Sequence, residues 1–334
     1  MKKIAGITVG IIFLIMIGIG IFFIRNKKQS PTTSVTVSLK WLHQAQFAGL
    51  YAAKEKGFYQ DRGLDVRFLE YNAAKNQIDM LVNRETEFAV VNPTELFKAV
   101  DAGMDIKAVA VIYETSPYAL ISLKERDIVS PADFAGKILG NKGGTPEAPV
   151  LYNTLLKDFN VDSAKITFFS PGFDTTVVDD LMTKKVDIID MFRTDQQYLF
   201  DKQRVDYAIL KPELFGFESY GDVLITTGAL IAQNPDLVSL FVQATIAGWQ
   251  WALDNQAEAV DMTMGYVTST QYQDKEYQAF IISQSEKLIR SAKSKPIGDM
   301  NYLIWRKMYD YLQKSGLLKQ DMDVRSIYTT EFLP

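Results

Sequence analysis

The chain has 334 residues, no cysteine and one histidine, His43. The lack of cysteine excludes disulfides, thiolate nucleophiles, iron–sulfur clusters and a lipid-modified cysteine anchor. A single histidine excludes a multi-histidine metal site. A carboxylate metal site stays open, but we predict no metal and no cofactor. The formal net charge is −4 although the N-terminus is basic, so the remainder is acidic. We therefore expect no binding of nucleic acid, which usually needs a basic face.

The N-terminal segment, residues 1–28, carries no charged side chain between Ile4 and Ile24 and is flanked by Lys and Arg. A helix that spans a bilayer needs about 20 apolar residues, and no small-residue cleavage motif follows this run. We predict a signal-anchor transmembrane helix over 1–28 and a polar linker over 29–34. A cleaved signal peptide is the alternative. The basic residues on the two sides are similar and leave the orientation open.

Strand-like and helix-like segments alternate after the linker. The strand-like segments are "SVTVSLKW", "LDVRFLEY", "FAVVNP" and "DIKAVAVIYE", and the helical ones between them are "AQFAGLYAAKEKGFY", "AAKNQIDMLVNRE" and "TELFKAVDAG". A second series has the strands "YALISLK", "KILGNK", "AKITFFSP", "VDIIDMF", "DYAIL" and "DVLITTGAL". From Pro235 onward the pattern is mainly helical. The alternation predicts an α/β fold with parallel sheets and crossover helices.

Two such series predict two lobes joined by two crossings. We expect the chain to leave lobe one near Tyr113–Tyr118 and to return near Phe217–Gly221. Lobe one then comprises residues 35–117 and 221–334, and lobe two comprises residues 118–220. Open α/β sheets bind ligands at the carboxyl ends of their strands, so the strand-to-helix loops should line a ligand cleft between the lobes.

Three stretches carry a family resemblance: "LKWLHQAQFAGLYAAKEKGFYQDRGLDV", "FAVVNPTELFKAVDAGMDIKAVAVIYETSPYALISLKERDIVSPADFAGKILGNKGG" and "VDDLMTKKVDIIDMF". Together they resemble bacterial ABC-transporter substrate-binding proteins. More narrowly, they are similar to the group related to the thiamine-pyrimidine precursor synthase, which includes pyrimidine-precursor, riboflavin and alkanesulfonate binding proteins. The resemblance covers about residues 35–265 and is more specific for the fold than for the ligand.

The resemblance implies a type II periplasmic-binding-protein fold whose two lobes close on a small molecule. It implies an extracytoplasmic protein, here anchored to the cell membrane by its N-terminal helix, that delivers its ligand to ABC permease and ATPase subunits. We expect a small planar nitrogen-containing ligand such as a thiamine pyrimidine precursor.

The loop after the first strand supplies the first candidate ligand contacts, Trp41, His43 and Gln46. Trp41 offers a flat stacking face, and neutral His43 offers one hydrogen-bond donor and one acceptor. The alternatives are that Trp41 packs under the first helix and that His43 faces solvent. Catalysis by His43 is not expected, because no nucleophile motif accompanies it.

Other loops supply the remaining candidates, and each has a structural alternative. Asn92, Thr94 and Glu95 follow the third strand, where simple helix capping is the alternative. Gly144 and Thr145 lie in the glycine-rich "GNKGGTPE", whose backbone N–H groups could bind an anion or a carbonyl oxygen of the ligand. The alternative is that this stretch is an ordinary capped turn. Asp190 ends a strand of lobe two and has an ion pair with Arg193 as its alternative. Tyr113, Ser116 and Tyr220 lie at the crossings, where they clamp a ligand or pack the hinge.

Two other function classes fit parts of this pattern. A ligand-sensing ectodomain that signals through a separate membrane partner would also use an anchored binding fold. An enzyme, the pyrimidine synthase that shares this fold, is the third class. Its eukaryotic form carries a cysteine-rich segment, and this chain has no cysteine. We therefore predict a binding protein and not an enzyme.

Overall fold

The computed structural model describes residues 32–141, 147–169, 177–290 and 296–334. The predicted signal-anchor over 1–28 and most of the glycine-rich loop therefore lie outside the described residues. Residues 34–334 form one compact unit. Within the described ranges, no helix is both long enough and apolar enough to span a bilayer.

The described residues form strands that assemble into two five-stranded sheets. The strands are β1 Thr33–Ser38, β2 Leu64–Leu69, β3 Phe88–Val91, β4 Ile106–Val111, β5 Tyr118–Leu123, β6 Ile138–Gly140, β7 Thr167–Phe169, β8 Ile188–Phe192, β9 Tyr207–Leu210 and β10 Val223–Thr227. The first sheet has the order β2-β1-β3-β10-β4, and the second has the order β7-β6-β8-β5-β9.

The α-helices of the described residues connect and cover these sheets. They are α1 Ala48–Glu55, α2 Gln77–Val82, α3 Pro93–Asp101, α4 Glu147–Asp158, α5 Val177–Met182, α6 Gln197–Lys202, α7 Gly228–Gln233, α8 Pro235–Asp254, α9 Gln256–Met264, α10 Lys275–Ile289 and α11 Tyr302–Lys314. Short 3₁₀ turns include Ala45–Phe47 before α1 and Thr270–Tyr272 before α10. Side chains fix several helix starts: the Asn76 side chain accepts the Ile78 N–H of α2, and the Thr227 side chain accepts the Leu230 N–H of α7.

The prediction of parallel sheets was wrong for one strand in each sheet. β1 pairs with β3, and β6 pairs with β7 and β8, all in parallel. By contrast, β10 runs antiparallel to β3 and β4, and β5 runs antiparallel to β8 and β9. Parallel pairing needs a crossover helix that returns the chain to the starting edge. The strands β5 and β10 each follow a direct passage from the other sheet, so no such helix precedes them.

Both faces of the first sheet are buried at β3. Phe88 and Val90 pack into one apolar cluster with α8, whereas Ala89 and Val91 pack into another with α11. This alternation follows from the two-residue period of a strand. The tryptophan side chains of Trp249 and Trp305 are 2% and 0% exposed and lie in the core.

Candidate functional site

A cluster of buried and half-buried polar side chains lies where strands of the first sheet end. We call Lys40, Gln46, Asn92 and Asp222 the polar centre. Lys40 Nζ lies 2.5 Å from Asp222 Oδ1, and the two side chains are only 7% and 2% exposed. Lys40 Nζ also donates to Asn92 Oδ1 at 2.5 Å. Gln46 Nε2 donates to the other Asp222 oxygen, Oδ2, at 2.8 Å. The pair of charges is thus desolvated and held by amide groups on both sides.

The sheet topology brings these residues together. The parallel neighbours β1 and β3 end at the same edge, where Lys40 and Asn92 follow them. Because β10 is antiparallel to β3, it begins at that edge, and Asp222 immediately precedes it. The antiparallel return strand therefore places an acid beside the two residues that the parallel strands deliver.

The start of α3 combines helix capping with a contact to the polar centre. The Asn92 N–H donates to Glu95 Oε2 at 3.1 Å, as in a capping box. Burial raises the pKa of the Glu95 carboxyl, while the hydrogen bond from Asn92 and the charges of Lys40 and Lys98 act in the opposite direction. Thr94 is 5% exposed. The capping alternative is thus present, and the Asn92 side chain faces Lys40 in addition.

An aromatic pair from the second sheet meets the polar centre. The Phe192 ring at the end of β8 has its centroid 5.2 Å from Lys40 Nζ, a cation–π distance. The same ring lies 4.5 Å from the ring of Tyr118, the first residue of β5. Lys40 is therefore in contact with both sheets.

Asp190 lies deeper in the second sheet, in the middle of β8, and is 2% exposed. Burial raises the pKa of the nearby Tyr152 phenol well above its usual value, and the Asp190 charge adds to that rise. The neighbouring Arg193 pairs with Glu213 at 2.6 Å and donates to the Ser116 carbonyl at 3.1 Å. Arg193 thus joins the crossing segment to the second sheet.

Trp41 is half-buried and takes part in a network that joins the two sheets. Its ring stacks on Tyr71 with centroids 5.5 Å apart, and its Nε1–H donates to the Tyr272 hydroxyl at 2.9 Å. The Tyr272 hydroxyl donates to Asp195 Oδ2 at 3.0 Å, and the Tyr277 hydroxyl donates to Asp195 Oδ1. Asp195 follows β8, whereas both tyrosines pack in the core of the first sheet.

His43 lies in a separate aromatic cluster. Its Nδ1 is 2.8 Å from the Tyr51 hydroxyl, and its ring is tilted against that of Tyr266. Its backbone N–H donates to Glu70 at 3.3 Å. Burial lowers the pKa of the imidazole, and the Glu70 carboxylate offsets part of that effect. A neutral, half-buried imidazole is expected at pH 7.

The first crossing segment packs tightly through Tyr113. This side chain is 1% exposed, and its hydroxyl is 2.7 Å from Ser285 Oγ. Its carbonyl accepts the Gly221 N–H of the second crossing at 2.9 Å. A Cβ on Gly221 would lie 2.7 Å from Tyr113 Cβ, so glycine permits this close approach. These contacts are those of the hinge-packing alternative.

Ser116 and Tyr220 also join the two crossings. The Ser116 N–H donates to the Ser219 carbonyl at 2.8 Å, and the Tyr220 hydroxyl accepts the Asn301 N–H at 2.7 Å. A cavity of about 160 Å³ opens beside them. Its lining includes Glu114, Glu213, Glu218, Tyr220 and Asn301. Tyr220 thus faces this acidic cavity beside the two crossings.

The structure brings some predicted residues together and separates others. Gln46 and Asn92 belong to the polar centre, and Trp41 lies in the network beside it. His43 and Tyr113 are engaged elsewhere, and Gly144 and Thr145 lie outside the described residues. In the described ranges, no three His, Asp or Glu side chains are placed to hold a metal ion together.

Sequence reasoning missed Lys40, Asp222 and Asp195. A lysine next to a tryptophan at the end of a strand was a usable signal for the first. The sequence signal for Asp222 was weaker: it is an acidic residue directly before a buried strand, at the point where the chain returns to the first sheet. Asp195 carried none, because its partners lie in a distant helical region.

Comparisons with known proteins agree with this architecture. The chain is 26% identical over 313 residues to the riboflavin-binding protein RibY of Chloroflexus aurantiacus, covering 92% of this chain and 88% of the relative. It is 22% identical over 233 residues to the formylaminopyrimidine-binding protein of Halalkalibacterium halodurans, covering 69% and 70% of the two chains.

A solved structure shares the fold. The periplasmic aliphatic sulphonate binding protein SsuA of Escherichia coli superposes with a TM-score of 0.67 at 14% identity, covering 89% of this chain and 92% of that one. The fold is thus the two-sheet α/β fold of periplasmic binding proteins. The family model described as "NMT1/THI5 like" matches residues 44–259. The chain therefore belongs to the NMT1/THI5-like family.

Proposed function

We propose that the chain is the extracytoplasmic solute-binding component of an ABC importer and that it binds a small planar nitrogen-containing molecule, such as a thiamine pyrimidine precursor. The observation that carries the proposal is the convergence of aromatic and buried hydrogen-bonding groups from both sheets. Trp41, Lys40 and Asn92 come from the first, and Phe192 and Tyr118 from the second. Such a mixture of flat apolar faces and few polar groups is typical of small-molecule sites.

The relatives support a heterocyclic ligand. The two curated relatives are named for binding riboflavin and a formylaminopyrimidine, both of which are planar nitrogen heterocycles. Both names describe binding proteins, which supports a binding role and not an enzymatic one for this chain. The sulphonate-binding neighbour supports the fold and leaves the ligand open.

We assign residues 35–117 and 221–334 to one lobe and residues 118–220 to the other, with the ligand between them. The sheets support this division, since β1 to β4 and β10 build one sheet and β5 to β9 build the other. The proposed ligand contacts remain Trp41, His43, Gln46, Asn92, Thr94, Glu95, Tyr113, Ser116, Gly144, Thr145, Asp190 and Tyr220.

The proposed transport role implies further partners. We infer that residues 1–28 anchor the protein in the cell membrane and that the binding domain is extracytoplasmic. ABC permease and ATPase subunits would receive the ligand. The apolar run from Ile4 to Ile24 supports the anchor.

Calorimetric titration of the purified full chain tests the ligand. We expect binding of formylaminopyrimidine or riboflavin and, for Trp41→Ala, an affinity reduced by about tenfold or more, because the variant loses an aromatic contact face. Trp251→Ala is the matched control, since Trp251 lies half-buried on α8 with Lys56 over its ring at 4.4 Å. Binding of a peptide or sugar in place of both heterocycles would refute the ligand proposal. Unchanged affinity in Trp41→Ala would move the site elsewhere.

A further inference from the structure

The Lys40 ammonium has donor capacity that the described residues do not use. A lysine carries three N–H donors and no acceptor. Two oxygens lie within hydrogen-bond distance, Asp222 Oδ1 and Asn92 Oδ1, both at 2.5 Å. The face of Phe192 also lies near the ammonium, with the ring centroid 5.2 Å away. A π face is a weaker acceptor than an oxygen, so the third donor is available to a ligand oxygen that reaches Lys40 beside the Phe192 ring.

The charges around Lys40 determine which oxygen fits. Asp222 already neutralises Lys40, and this carboxylate is 2% exposed. Glu95 lies close enough for Lys40 to lower its pKa, against the larger effect of burial. An anionic ligand would place another negative charge beside two carboxyl groups in a site with little water to screen it. An uncharged acceptor avoids that repulsion.

The position of Lys40 limits this contact to a ligand held between the sheets. Lys40, Asn92 and Asp222 stand at the edge of the first sheet, and Phe192 ends a strand of the second. A flat ring that packs beside Phe192 would bring a ring substituent next to the ammonium. A carbonyl oxygen is the uncharged acceptor that heterocycles commonly carry.

We infer that Lys40 is a specificity-determining residue that donates a charge-assisted hydrogen bond to a carbonyl oxygen of an uncharged planar ligand and that Asp222 biases the site against anions. This inference rests on the proposed function. It narrows the ligand class to carbonyl-bearing heterocycles, which include the isoalloxazine ring and a formylated aminopyrimidine, and it excludes alkanesulfonates.

Paired variants test the role of Lys40. Lys40→Met alone would leave Asp222 buried without its cation, so Lys40→Met is combined with Asp222→Asn, whose amide oxygen can still accept from Gln46. By calorimetry we expect this double variant to bind formylaminopyrimidine or riboflavin about 10- to 100-fold more weakly, as for loss of a hydrogen bond to a charged group. Lys54→Met is the control. Lys54 donates to the Val66 carbonyl at 2.6 Å and lies 5.9 Å from the Phe68 ring centroid, away from the polar centre. The affinity of Lys54→Met for the same ligands should stay within about twofold of that of the unmodified protein.

A ligand series on the unmodified protein keeps the test independent of how well the variant folds. We expect formylaminopyrimidine to bind about 10-fold or more tightly than the corresponding aminopyrimidine without the formyl carbonyl, and ethanesulfonate to bind more weakly than either. Heterocycle binding that the double variant retains, or that does not depend on the carbonyl, would overturn the role of Lys40 alone. Preference for ethanesulfonate, or no heterocycle binding at all, would overturn the proposed ligand class as well.

Discussion

At the scale of single residues, the environment of His43 predicts a lowered pKa. Burial among Tyr51 and Tyr266 disfavours the imidazolium, and the Glu70 carboxylate only partly compensates. Because His43 is the only histidine, its imidazole proton resonances can be followed by NMR without ambiguity. We expect a titration midpoint below the ordinary value of 6.5, and a lower one still in Glu70→Gln. A midpoint at or above 6.5 would mean that the imidazole is more hydrated than its packing indicates.

The lowered pKa of His43 also determines the direction in which the stability of the protein changes with pH. With a folded-state pKa below the unfolded value, His43 binds fewer protons when the protein is folded. Its contribution is therefore fully present above pH 6.5 and is lost as the pH falls from there toward the folded-state value. The raised pKa of Glu95 changes stability with pH in the opposite direction. The free energy of unfolding is therefore measured against pH for the unmodified protein and for His43→Gln, and the difference between the two curves isolates the contribution of the histidine.

The residue scale also shows what a single sequence conceals. Trp41 and Asn92 stood out because each follows a clear strand pattern, and both lie beside or within the polar centre. The Lys40–Asp222 pair joins distant parts of the chain, and only the antiparallel direction of β10 explains their meeting. Because no local pattern encodes the direction of a strand that returns from another sheet, this pair was not predictable.

At the scale of elements, the contact between α1 and α8 depends on two glycines. A Cβ on Gly248 would lie 2.2 Å from the Gly49 carbonyl oxygen, and one on Gly49 would lie 2.2 Å from the Trp249 ring. We expect Gly248→Ala to lower the free energy of unfolding by about 1–3 kcal/mol, because the helices must separate to admit the methyl group. Urea unfolding monitored by circular dichroism measures this loss.

An exposed position on the same helix provides the comparison. Gln250 is exposed on α8, and Gln250→Ala should change the free energy of unfolding by no more than about 0.5 kcal/mol. Equal stability of the Gly248→Ala and Gln250→Ala variants would show that the two helices can move apart without cost.

Strands and helices were predicted correctly where the apolar pattern was clear, and one helix was missed because it is short. Each predicted strand appears, although "DVLITTGAL" ends as a strand at Thr227 and continues as α7. The helix α6, Gln197–Lys202, was not predicted. It spans under two turns, and only Phe200 among its residues is buried, so it has almost no apolar stripe to detect.

At the scale of the whole molecule, two polar contacts bridge the sheets with very different burial. Asp195, 7% exposed, accepts from Tyr272 and Tyr277 of the first sheet's core. Lys202 and Asp274 pair at 2.6 Å with side chains that are 57% and 34% exposed. A buried carboxylate that loses hydrogen bonds from phenols is costly, whereas an exposed ion pair that solvent screens contributes little to stability. We call the arrangement in which these contacts join the two sheets the closed arrangement. The Asp195 contacts should contribute more to it than the Lys202–Asp274 pair.

We expect Asp195→Asn to weaken this closed arrangement, because the neutral amide accepts more weakly and has one acceptor oxygen instead of two. Small-angle X-ray scattering of the ligand-free protein should show a larger radius of gyration, and the affinity for a heterocyclic ligand should fall, since binding must then supply the closure energy. Lys202→Met is the matched control and should change neither quantity measurably. If Asp195→Asn scatters and binds like the unmodified protein, the closed arrangement depends on apolar contacts and not on this carboxylate.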